Sequence, residues 1–192
     1  MRPMCLNIPE EKERKRIREQ RTREDVYVRL ARAVIEEYVR TGIKKRIPKD
    51  LPEEMYTRRA GVFVSIKKGG QLRGCIGTIQ AVQPSIAEEI TENAVSASTK
   101  DPRFPPIVPE ELEFLTISVD VLGDTERIDS PAQLDVERYG VVVTKGYRRG
   151  LLLPNLDGID TVKEQIRIAK QKAGIGEHEE AELERFEVIR HY

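Results

Sequence analysis

The sequence predicts an α+β fold, one domain with a mixed, mostly antiparallel sheet and packed helices. Three observations carry this. A β-branched run meets the glycine pair Gly69-Gly70 and continues in a second run, which is the pattern of a hairpin. A second such hairpin falls around Gly146 and Gly150. Helical periodicities lie between and after these strand pairs, where a doubly wound parallel sheet would interleave helix and strand one by one. At 192 residues the chain supports one well-buried core, with room for two lobes.

Residues 10 to 23, EEKERKRIREQRTR, mix both charge signs with one isoleucine and no apolar stripe. We read residues 1–23 as a charged extension, a solvated helix or a frayed leader, in preference to a basic arm for RNA, and 24–192 as the domain. Helices are expected near 24–41, 85–99 and 161–173. In the first, Val26, Leu30, Ala33, Val34 and Tyr38 share a face and Gly42 sits at the stop. The second carries Ile86, Ile90, Ala94 and Ala97, small enough to pack closely on a sheet. The third opens on a Thr161/Glu164 capping box and stops at Gly174. LTISVDVL from Leu115 alternates as a strand, and LERFEVIRHY reads as a last one.

Charged residues make up 34% of the chain, yet acids and bases cancel to a formal net charge of zero, which argues against a dedicated nucleic-acid binder. No apolar run reaches membrane-spanning length and the N-terminus lacks the apolar segment of a secretory signal, so a soluble, cytoplasmic protein is expected. Cys5 and Cys75 are far apart, so no disulfide framework is indicated.

The chemistry concentrates in GGQLRGCIGTI, Gly69 to Ile79, where a thiol stands between two glycines beside an arginine. With a two-residue loop, Lys68 pairs with Gln71 and Val64 falls opposite Cys75, which turns the thiol into an apolar layer. A longer loop or a bulge changes those neighbours. In a regular strand Arg73 and Cys75 share a face, where the cation stabilises a thiolate; its plainer role is an ion pair. The only histidines, His178 and His191, lie near the end and offer neither a strong base for Cys75 nor metal-ligand spacing. No phosphate loop or dinucleotide fingerprint is present, so no cofactor is expected. Asp101 and Arg103 sit in the stiff loop DPRFPP, suited to ligand contacts; equally, Asp101 caps the turn and Phe104 plugs the core. Tyr147, Arg148 and Arg149 form a basic hairpin tip, an anion or RNA contact or simply a solvated turn.

Together, LRGCIGT at 72–78, DPRFPP at 101–106 and GYRRGLLLP at 146–154 resemble, in the same order, motifs of the AMMECR domain family. The resemblance runs from about Asp25 to the C-terminus. It implies an α+β fold of a larger and a smaller lobe, with LRGCIG lining a cleft, and a site of Arg73, Gly74, Cys75 and Gly77 with Asp101, Arg103 and Phe104. The family's activity is not established. Its bacterial and archaeal form is named for the AmmeMemoRadiSam system, which implies a Memo-type and a radical-SAM protein as partners and a binding or accessory role. Many members continue after GLLLP with a Trp-containing acidic tract, where this chain has NLDGIDTVKEQ. Other readings of the same residues are a thiol enzyme with Cys75 as nucleophile on an anionic substrate, and an RNA-binding module.

Overall fold

The structure is a computed structural model and describes residues 8–192; Cys5 lies outside the described residues. The chain divides into two compact units, one built from the chain up to Val121 with Arg190–Tyr192, the other from Leu122–Ile189.

The first unit opens with helix α1 (Ile8–Arg21) and helix α2 (Val26–Thr41). Asp25 caps α2, its Oδ1 accepting the N–H groups of Tyr27 and Val28 at 2.9 and 3.1 Å, and Gly42 ends it at φ 70°. A short helix α3 (Glu53–Thr57) leads to strands β1 (Val62–Lys68) and β2 (Gln71–Gly77). Helix α4 (Ile86–Thr99) follows, then a 3₁₀ turn (Pro109–Phe114) and strand β3 (Leu115–Leu122). The chain returns at its end as β8 (Val188–His191), giving the sheet order β2-β1-β3-β8. β1 pairs antiparallel with both neighbours. Val62, Val64 and Ile66 of β1, paired with Val121, Val119 and Ile117 of β3, are buried in one core with Val28, Leu30, Val34 and Ile35 of α2 and Ile86, Ile90 and Ala94 of α4. The alternation therefore splits the sheet into an apolar face toward the helices and a second face that carries Ser65, Lys67, Thr116 and Ser118.

The second unit holds β4 (Glu126–Ile128), β5 (Gly140–Lys145), β6 (Arg148–Leu152), helix α5 (Val162–Ala173) and β7 (Glu182–Phe186) in the order β4-β7-β5-β6. Its core joins Val141, Val143 and Leu152 to Ala169 of α5, with Ile128, Leu134 and Ile175.

All the strand pairs with resolved register are antiparallel, and helices α2, α4 and α5 fall where their periodicity placed them. Four details differ from the expectation. Residues 8–21 are helical with Ile17 buried, so this charged stretch has one packed position. The Thr161 hydroxyl does accept the Glu164 N–H at 3.2 Å, but the Glu164 carboxylate turns to Arg167 at 2.6 Å, the stronger, charge-assisted partner. The terminal segment is two strands in different sheets, not one. Between them Glu187 accepts the Gly123 N–H on its carbonyl and Arg138 on its carboxylate, at 2.8 and 2.7 Å. The fourth detail is the register around Cys75.

Candidate functional site

The two-glycine turn forms as expected: Gly69 and Gly70 take φ of 57° and 79°, the positive values a type I′ hairpin needs, and Lys68 pairs with Gln71. The register then shifts. Lys67 faces Leu72 but Ile66 faces Gly74, so Arg73 is the extra residue of a bulge, and Ser65, not Val64, stands opposite Cys75. The one-residue slip moves Cys75 from the apolar face to the other one. Its Sγ lies 3.2 Å from Ser65 Oγ and the residue is half-buried. Ser65 in turn pairs with Ser118, so Ser118, Ser65 and Cys75 form a row across three strands.

Gly74 takes the opposite face, where α4 comes so close that a Cβ would overlap the Ala97 carbonyl oxygen. At Gly77 a Cβ would run into the Phe63 ring. Both glycines are explained by close packing of β2.

The bulge also separates the fates of Arg73 and Cys75. Arg73 makes a two-pronged pair with Glu111, Nε to Oε1 at 3.0 Å and Nη2 to Oε2 at 2.8 Å, and donates to the carbonyls of Pro105 and Pro106 at 2.8 and 3.3 Å. Lys68 joins at Glu111 Oε1, 3.0 Å away. The hydrogen bonds of Arg73, then Lys68 and the Val108 N–H, hold the Glu111 carboxyl down at about 2, against the smaller opposing effect of burial. Of the two roles weighed for Arg73, service to the thiol or an ion pair, its bonds are those of the ion pair, which ties β2 to the 3₁₀ turn.

The cation at Cys75 is Arg103. Asp101, 4% exposed, accepts the Cys75 N–H on Oδ2 at 2.9 Å, while Arg103 Nη2 donates to the Cys75 carbonyl at 3.2 Å. The two side chains are paired, Nη2 to Oδ2 at 2.7 Å and Nε to Oδ1 at 3.0 Å, and Asp101 Oδ1 also accepts the Arg103 N–H at 3.1 Å. Cys75 is opposite its β1 partner in a position where both its backbone groups point outward, and Asp101 and Arg103 supply what a further strand would. The Arg103 hydrogen bonds pull the Asp101 carboxyl down to about 2 against the effect of burial, helped by the Cys75 N–H; the same bonds raise Arg103. The Arg103 side chain stays 53% exposed and its guanidinium carbon lies 5.5 Å from the centroid of the half-buried Phe104 ring.

Of the residues expected at the site, Cys75, Asp101, Arg103 and Phe104 come together, Arg73 belongs to the flank, and Gly74 and Gly77 pack the strand. His191 is held elsewhere, Nδ1 to Asp25 Oδ2 at 2.5 Å with its ring stacked 3.8 Å from that of Tyr27, and His178 is exposed in the second unit. At the basic hairpin tip Tyr147 is exposed, while Arg148 pairs with Glu179 and Arg149 with Glu184 at 3.0 and 2.9 Å. Sequence reasoning missed Ser65, Glu111 and Glu89. The buried Glu89 carboxylate accepts Thr78 Oγ1 and the N–H groups of Val82 and Gln83, all at 2.8 Å, and so fixes the chain leaving β2. Its only signal was a glutamate on the apolar side of an otherwise amphipathic helix.

The AMMECR1 family model matches residues 28–191, which includes every residue of this site. The chain belongs to the AMMECR1 family. A Thermotoga maritima protein is 50% identical over 170 residues, covering 88% of this chain and 98% of its own length. A Clostridium acetobutylicum protein is 49% identical over 168 residues, 87% of this chain but 36% of that longer one. The crystal structure of an uncharacterized protein from Pyrococcus horikoshii superposes with a TM-score of 0.79 at 34% identity, covering 85% of this chain and 88% of that one. This AMMECR1 member therefore shares the fold of that structure. Among the described residues no helix is long and apolar enough to cross a membrane.

Proposed function

We propose that this AMMECR1 protein is a binding or accessory component of a three-part system with a Memo-type protein and a radical-SAM protein, and that β2 with the 101–104 loop is its contact surface. The observation that carries the reading is the Asp101–Arg103 clamp on both backbone groups of Cys75. It holds a half-exposed guanidinium and a half-buried thiol on a backbone tied at both its polar groups. Such preorganisation suits recognition, because little conformational freedom is lost when a partner binds. The pairing with those two proteins comes from the naming of the family's bacterial and archaeal form.

The test is co-expression of the three proteins from one host, followed by affinity purification through this chain. Recovery of both others with the wild type, and at least about tenfold less with folded Arg103→Ala, supports the reading. No association under any nucleotide or S-adenosylmethionine condition overturns it.

A further inference from the structure

We propose that α1 is a releasable strap, held on the first unit by one apolar anchor and several charged contacts, which covers the 3₁₀ turn and stands over the outer end of the β1–β2 hairpin. Among the described side chains of α1 only Ile17 is buried. Two arginines add charged contacts. Arg14 pairs with Glu113 at 3.2 Å and lies over the Phe114 ring, 5.0 Å from its centroid. Arg21 pairs with Glu36 at 3.3 Å and donates to the Leu112 carbonyl. The first turns of α1 do not close onto the hairpin: Glu10 and Glu13 line a cavity of about 580 Å³ with Lys68, Gln71, Leu72, Arg73 and Phe114.

The point where release stops is also built in. Glu24 is 6% exposed and takes a forked bond from Arg32, Nε to its two oxygens at 3.0 and 2.8 Å, while Arg32 Nη2 reaches the Leu115 carbonyl at 3.1 Å. Asp25 follows as the cap of α2 and donates its N–H to the Tyr192 carbonyl at 2.9 Å. Glu24 and α2 are therefore anchored in the core, and the segment before them is the part that can leave. The family match begins at residue 28, so α1 lies outside the matched residues. When the strap opens, Leu112 and Phe114 are uncovered and the Arg73–Glu111 flank of the hairpin becomes reachable from that side.

A helix of this length is marginal in water once detached, so its amide exchange reports detachment directly. The screening length falls from about 10 Å at 0.1 M salt to about 3 Å at 1 M, and charge-held docking weakens accordingly. Hydrogen exchange is followed on the full chain at both salt concentrations, for wild type and Ile17→Asp. The expected result is exchange in 12–21 that is faster than in α2 and α4, rises about tenfold in high salt, and about a hundredfold or more in Ile17→Asp, with α2 and α4 unchanged. Because the chain has no Trp, Phe114→Trp adds a single emission whose red shift with salt marks the same opening. Exchange of α1 in step with α2, or no response of wild-type α1 to salt, overturns the proposal. So does loss of α2 and α4 protection in Ile17→Asp, which makes α1 part of the core.

Discussion

The Asp101 carboxylate and the Cys75 N–H, twenty-six positions apart, meet at 2.9 Å, and this bond joins the loop after α4 to the edge of β2. Removing the negative charge leaves Arg103 facing a neutral group and weakens both bonds to the Cys75 backbone. Asp101→Asn is expected to lower stability by about 2 kcal/mol at pH 7, the scale set by a carboxyl moved from 3.8 to about 2. The folded value lies below the unfolded one, so this contribution is complete above about pH 4 and is lost as pH falls toward 2. Urea midpoints at pH 7 and pH 3 check it: the variant should lose less than wild type between the two.

Glu111 and Arg73 form the parallel tie on the other side of the bulge, and Glu111, also held at about 2, adds to the same acid-side loss. The geometry is forked, so Arg73→Lys is not a conservative change. A double-mutant cycle of Arg73→Ala and Glu111→Gln should give a coupling of about 1 to 3 kcal/mol. A coupling near zero means that the pair does not hold β2 to the 3₁₀ turn.

The fold class was legible because each of its signals is local: a glycine pair between β-branched runs, an apolar stripe from Val26 to Tyr38, a capping threonine at 161. The register was not. Gln71, Leu72 and Arg73 have no alternation that would reveal an extra residue, and the bulge at Arg73 is fixed by Glu111, thirty-eight positions away. The loop residues Asp101 and Arg103 stood out by their setting, but their attachment to the backbone of Cys75 follows from tertiary topology. The last strand was misread for the same reason: ERFEVIRH is uniformly extended in character, and what divides it is the company of Glu187.

The glycines of the two turns and of β2 should respond in opposite ways to substitution. Gly69→Asn places a residue that tolerates positive φ in the first turn position and should be neutral or stabilise by up to about 0.5 kcal/mol. Gly74→Ala forces β2 away from the Ala97 carbonyl and should cost about 3 kcal/mol or prevent folding. Thermal unfolding of the two variants side by side is sufficient, and an unaffected Gly74→Ala would falsify the close approach of strand and helix.

Glu89 should matter through the loop it holds. Glu89→Ala leaves the Thr78 hydroxyl and the Val82 and Gln83 N–H groups without their acceptor, a loss of about 3 kcal/mol with fast exchange at Val82 and Gln83. Slow exchange at both amides in the variant would show that another acceptor holds them.

The last prediction concerns the thiol. A register with Val64 opposite Cys75 requires a buried, inert sulfur, which alkylates only on unfolding. The observed register places Ser65 there, 3.2 Å from Sγ, and leaves Cys75 half-buried on the face away from α2 and α4. Native protein should therefore react with iodoacetamide at neutral pH, more slowly than the unfolded chain and far faster than the rate of global unfolding. The measurement is peptide mapping in a Cys5→Ser background, so that Cys75 is the only thiol followed. Asp101→Asn should accelerate the reaction, since a weaker clamp lets the Cys75 backbone, and the thiol it carries, open to reagent more often. Cys75→Ser, which keeps a hydrogen-bonding partner for Ser65, should change stability by less than about 1 kcal/mol. Labelling confined to unfolded protein, together with a large loss in Cys75→Ser, would return Cys75 to the core and remove the thiol from the contact surface.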